Sequence, residues 1–270
     1  MICFRSLVCQ DRRTELPESS PYNNITSGPI MELTKTASAR DVSPFSSLIT
    51  ILYEPARTFA ALEPRRAAWL PVILMMLSTA ALMSWYFSFV DFSWLTDQML
   101  ATVKDAVQRE KAQAMMSKQT MLVSGLAGAL IAIPVGIAVI AAYFMAAGKL
   151  CSKEFSFGKG FALVAWSYVP GLLSLPLGAM QIMLSSSGQM GFSDLNPLSL
   201  NTLFFHYLMS HPMASLLDSV SVLSVWSAVL LVIGFQAWAK VSRATALKVV
   251  LIPYLVIYGG WLAFALSRAA

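Results

Sequence analysis

Five long apolar runs constrain this chain more than any other feature. They cover Ala67–Val90, Met121–Ala147, Gly160–Leu184, Leu216–Trp238 and Leu247–Leu266, and none has a Lys or Arg in its middle. About 20 such residues cross about 30 Å of hydrocarbon as a helix. Inside a bilayer a backbone must satisfy its own hydrogen bonds, so each run is expected to be a membrane-spanning helix. Composition agrees: 57% of the 270 residues are hydrophobic and 12% are charged. A soluble domain carries about 25% charged residues. The expected fold class is an all-α integral membrane protein, a bundle of five transmembrane helices with interfacial amphipathic helices.

The formal charge of +5 sits in the connections between the runs. That placement points to topology and contact with anionic lipid, and away from nucleic acid. One side collects Lys35, Arg40, Arg57, Arg65, Arg66, Lys149, Lys153, Lys159, Lys240, Arg243 and Lys248. The other has Lys104, Arg109, Lys111, Lys118 and Arg268. The positive-inside rule then puts the N-terminus in the cytoplasm and the C-terminus outside. No h-region with a small-residue cleavage site opens the chain, so span 1 is expected to act as its own insertion signal. Trp69, Trp166, Trp238 and Trp261 lie toward run ends, where interfacial rings are expected.

The connections carry their own patterns. Residues 1–44 are expected to be a disordered or mis-assigned N-terminal segment; the first 30 show no periodicity and read as a disordered tail or an over-extended start, and Met31 begins a Ser/Thr/Ala-rich lead. Residues 45–66 hold Phe45, Leu48, Ile51, Leu52, Phe59 and Leu62, with Pro55 placed to open a second helix. Two amphipathic helices in the cytoplasmic interface are expected, since no soluble core is available to pack them. After span 1, Phe92, Leu95, Met99, Val103 and Val107 predict one further amphipathic helix, with Asp105 and Arg109 paired four apart. Residues 196–210 predict an interfacial or re-entrant helix with a polar stripe of Ser199, Thr202, His206 and Ser210.

Within the spans, Gly128, Ala132 and Gly136 recur every four residues, a spacing that lets two helix backbones approach closely. Pro134 sits beside them, and span 3 carries Pro170-Gly171 and Pro176. A proline removes a backbone donor and bends a helix. Asp218 is the acid beside a late span. It is expected to cap the outer N-terminus of span 4, near Ser221; the rival is a membrane-depth carboxylate binding a proton or cation. No HExxH, P-loop, GxSxG or GxGxxG occurs, and no Cys/His group has zinc spacing. No nucleophile–base pair, metal or cofactor is implied.

The order of features nonetheless has a likeness. Ile51 to Pro71 (ILYEPARTFAALEPRRAAWLP) resembles the opening of bacterial Yip-domain proteins, a Pro-containing short helix followed by a Trp-Leu-Pro entry into the first span. Ala142 to Leu173 is similar to that family's second-to-third span join, with Tyr143, Lys149, Phe157 and the Tyr168-Val169-Pro170 break. Leu216 to Lys240 resembles its fourth span, with Asp218, Trp226 and Gly234 in matching places. The resemblance covers residues 48–266. It implies a five-span fold in the bacterial inner membrane and no catalytic residues. Eukaryotic members bind prenylated Rab-type GTPases, but the acidic tail motif of those members has no match here.

Two functions follow as expectations. The first is a non-enzymatic membrane protein that organises membrane or peripheral partners, self-associates or shapes the bilayer. The second is a small transporter or channel using the proline-broken third span and Asp218. The residues singled out for function or packing are Asp218, Trp226, Pro170, Gly128, Gly136 and His206.

Overall fold

The computed structural model describes residues 43–62, 68–151 and 155–269. The tail expectation for residues 1–44 falls outside them except at Ser43 and Pro44, where Pro44 already opens a helix. Every named element is helical, and the one β-type feature among the described residues is an isolated bridge between Ser199 and Ser221. Five helices are long and apolar enough to cross a membrane: Trp69–Phe89, Lys118–Cys151, Phe157–Leu184, Val222–Ala239 and Arg243–Ser267. These are spans 1 to 5 below. The expected runs agree with them to within a few residues except at the start of span 4, which begins six residues later than Leu216.

That late start is a correction with a local cause. Leu200 donates to the Val220 carbonyl at 2.7 Å, and Val222 donates to the Leu198 carbonyl at 3.1 Å. This bridge pulls Val220 and Ser221 into extended backbone. The expected fourth run therefore splits into a short helix, Ala214–Ser219, and the span proper.

Span 3 is broken at Pro170. An α-helix to Ser167 gives way to a 3-10 stretch, Val169–Leu173, containing Pro170, and α-helix resumes at Ser174. Span 2 responds differently and runs through Pro134 as one helix.

Two short helices precede span 1: α1, Pro44–Tyr53, and α2, Pro55–Ala61. Each has proline at its N-terminus, where a missing N–H costs nothing. They are more than surface helices. Ile51 and Phe59 are fully buried in the main core, with Trp166, Leu163, Leu230 and Phe235. α1 packs on the 3-10 stretch of span 3 and α2 packs on span 4. The sequence argument that no core could pack them fails because the bundle itself supplies the core.

The other connections also differ in detail from expectation. The helix after span 1 is two helices, Phe92–Met99 and Ala106–Met115. Asp105 does not pair with Arg109. It caps the second helix by accepting from Val107 and Gln108, and Arg109 instead meets Asp97 at 3.1 Å. Residues 196–210 form a single π-helical turn, Asn201–Phe205, followed by His206 in the left-handed region. The buried Asn201 accepts from the Tyr207 N–H and donates to its carbonyl, so the chain is folded back where a longer helix was expected.

Candidate functional site

Two features could act on something outside the chain: the docked α1–α2 pair and a cavity among the spans. The pair is held by side chains from the opposite end of the sequence. Trp238 donates through Nε1 to the Phe59 carbonyl at 2.8 Å, and the two rings meet edge to face at 5.5 Å. A Cβ on Gly234 would lie 2.8 Å from the Phe59 ring, so that glycine is what lets the ring seat against span 4. Glycine here serves close approach, as small residues do between membrane helices. With this anchor buried, the outward side of α1 remains apolar. Phe45, Ile49 and Tyr53 recur every four residues and are each more than 60% exposed. An apolar stripe of this kind is stable against acyl chains or a partner, and costly against water.

The same end of the bundle gathers the join between spans 2 and 3 and the end of span 4. Phe155 packs on Phe235 and sits against Gly148. At the other end, Tyr86 donates to the Met190 carbonyl and the Asp91 N–H to the Gly188 carbonyl. These bonds staple the end of span 1 to the segment after span 3.

The cavity has a volume of about 830 Å³ and touches all five spans. Apolar walls come from Leu82, Ile140, Leu231 and Val250. One end carries Asn196, Ser221 and Ser224, and span 5 supplies Tyr254, Tyr258 and Trp261. Those three rings stack nearly parallel, at 6.0 and 6.4 Å.

The residues singled out from sequence do not converge. Asp218 does not cap span 4, because it lies in the separate short helix. Ser221 is the cap, in a reciprocal pair with Ser224: each side chain accepts from the other's N–H. Asp218 Oδ1 is buried with no hydrogen-bond partner among the described residues. Burial raises the Asp218 carboxyl above its ordinary value, Asn201 opposes this, and the Asp194 carboxylate adds to it. Pro170 is buried in the span 3 break, and Trp226 packs half-buried on the main core. His206 is exposed beside a recess of about 180 Å³ shared with Gln98 and Asp194. A Cβ on Gly128 or Gly136 would meet nothing within 4 Å, so at these two positions span 2 is in close contact with no other helix among the described residues.

The close approach lies elsewhere: a Cβ on Gly160 would stand 2.6 Å from the Ala141 carbonyl, joining spans 2 and 3. Trp166 is a second surprise, buried in the core and not interfacial. Among the described residues, no group of three or more His, Cys, Asp or Glu gathers as metal ligands would. Asn201 and Gly160 were missed because a lone Asn or Gly carries no periodic signal. The family model described as Yip1 domain matches residues 49–264. No curated protein and no solved structure matches the chain.

Proposed function

Because this chain belongs to the Yip1-domain family and has a multi-pass helical architecture, we propose that it is a non-enzymatic membrane protein that shapes the bilayer, through α1 held as a wedge at the membrane surface. The supporting observation is the two-sided burial of that helix. Its inner side is locked into the bundle through Ile51, while Phe45, Ile49 and Tyr53 stay exposed on the outer side. A loosely tethered amphipathic helix would change depth under load. A helix keyed into a core transmits the position of the spans to one leaflet.

The wedge belongs to the cytoplasmic leaflet of the bacterial inner membrane in this reading. Arg57, Lys149, Lys159, Lys240 and Arg243 share its end of the bundle, against Lys104, Arg109, Lys111 and Lys118 at the other. Reporter fusions at Ser156 and Arg243 should register cytoplasm, and a fusion at Gly188 the outside. An outside signal at Arg243 breaks the assignment. The transport reading has less support, since a transporter needs polar groups near the midplane and Asp218 stands ahead of span 4.

The decisive experiment is reconstitution of the full chain into liposomes with electron microscopy of their shape. Wild type should produce tubules or small vesicles. The triple change Phe45→Ser, Ile49→Ser and Tyr53→Ser should insert normally and leave liposomes round, because those side chains are mostly exposed and lie outside the buried core. Deformation that survives the triple change ends the proposal.

A further inference from the structure

We propose that the cavity among the spans is a binding site for the hydrocarbon chain of an uncharged amphiphile, with its polar head at the Asn196–Ser221–Ser224 end.

The shape comes first. On span 5 the cavity runs from Val250 to Trp261, a helical rise of about 16 Å. On span 4 it runs from Ser221 to Leu231, a rise of about 15 Å. It is therefore elongated along the helices and covers about half of a 30 Å hydrocarbon layer. At about 830 Å³ it falls within the size range of small-molecule sites. A straight chain with a head at one end fits this outline; a compact polar solute does not.

The walls settle the chemistry of the tail. Along its length the cavity is bounded by aliphatic side chains and by the flat stack of Tyr254, Tyr258 and Trp261. Three polar side chains on the walls already place their donors within the protein. Tyr143 donates to the Val249 carbonyl, Ser174 to the Gly171 carbonyl and Ser224 to the Ser221 carbonyl. A chain sliding past these three strands no donor of theirs.

The head end differs. Asn196 Nδ2 makes one long hydrogen bond, 3.4 Å, to the Asp218 carbonyl. The amide has two N–H groups, so one remains to donate to a hydroxyl, ester or amide oxygen. Charge then narrows the head further. Among the described residues no Lys, Arg or His lines the cavity, so an anionic head would be buried without a partner, at high cost. The acids nearest in sequence to that end are Asp194 and Asp218. Neither carboxylate lines the cavity, so a cationic head would lack its counter-ion there.

This site is independent of the α1 wedge, and either can fail alone. The test uses the full chain in phosphatidylcholine nanodiscs with a mono-oleoylglycerol carrying a diazirine on its chain. After irradiation, mass spectrometry should place adducts on Leu223, Tyr254 and Tyr258, and unlabelled mono-oleoylglycerol should compete them away. Gly171→Phe is the blocking variant. Gly171 lines the cavity and a Cβ there meets nothing within 4 Å, so the ring enters open space. It should cut labelling about fivefold or more by steric exclusion. A diazirine-labelled oleate, ionised at mildly alkaline pH, should label about fivefold less than the neutral probe because its charge is unpaired. Adducts confined to the outward residues Ile131 and Val135 would overturn the site. Equal labelling by oleate would overturn the uncharged head, and the wild-type adduct map decides the site even if Gly171→Phe does not fold.

Discussion

Spans 2 and 3 pack on each other, yet they are opposites. Span 2 has the highest hydropathy of the five and only 17% of its apolar window is buried; span 3 has the lowest and 56% is buried. In water the most apolar helix would be the most hidden. In a bilayer the order reverses, because lipid tails are as apolar as leucine and association rests on close packing. Span 3 therefore invests in small and polar residues: Gly160, Ala162, Ala165 and Ser167 lie in a stretch, Gly160 to Ser167, that is buried at every position. Span 2 turns Leu130, Ile131, Val135 and Val139 outward. Hydropathy reports contact with lipid here, and smallness at the right position reports contact with protein.

The sharpest way to break this contrast is to enlarge glycines on both kinds of face. Gly160→Leu should cost at least about 3 kcal/mol, since the new side chain meets backbone that cannot move aside. Gly128→Leu and Gly136→Leu should change stability by less than about 0.5 kcal/mol, since nothing among the described residues opposes them. Thermal stability of the purified protein in detergent compares them. Equal losses would mean that the span 2 face is covered by a second molecule, and the contrast would then describe the monomer alone.

Next in size is the anchor of the N-terminal pair. Phe59→Ala should cost about 3 kcal/mol by leaving a void among Leu163, Gly234 and Trp238. Phe45→Ala, on the exposed side of α1, should cost little. If the two are equally harmless, α2 is not part of the core and the wedge loses its support. A smaller effect belongs to the start of span 4. Ser221→Ala should cost about 1 kcal/mol by removing the helix cap, whereas Asp218→Ala should leave span 4 helicity unchanged. The reverse ranking in detergent unfolding would restore Asp218 as the cap.

The smallest effect is a pH dependence. Burial raises the Asp218 carboxyl in the folded protein, so between the ordinary Asp range and that raised value the folded state holds more protons than the unfolded one. Stability must then fall as pH rises through this window and be highest below it. Asp218→Asn should remove that slope; identical slopes in wild type and variant would show that another group carries it.

Much of this was legible in advance. Span number and extent follow from a run of apolar residues meeting a fixed hydrocarbon thickness, a one-dimensional match that needs no partner. The break in span 3 falls at Pro170, where it was expected, although span 2 runs unbroken through Pro134. The candidate site was less readable. Of the polar side chains along spans 3 and 4, Ser174, Ser221, Ser224 and Ser227 line the cavity, whereas Ser167, Gln181 and Gln236 do not. Their convergence with Tyr254 and Asn196 depends on how five helices rotate and tilt against each other.

The sequence by itself determined that the chain is a five-span membrane protein with paired short helices before the first span, because hydropathy, proline placement and helical period act locally. Only the tertiary structure decided which glycines are contacts, that Trp166 is core and Trp238 an anchor, that Ser221 and not Asp218 starts span 4, and where the spans part to leave a cavity. The reason is physical. In lipid a span gains almost nothing from hydrophobicity by turning one face inward, so the pattern that fixes orientation in soluble helices is erased. What remains is steric fit between particular neighbours, such as Gly160 against Ala141 and Gly234 against Phe59, and fit is a property of pairs.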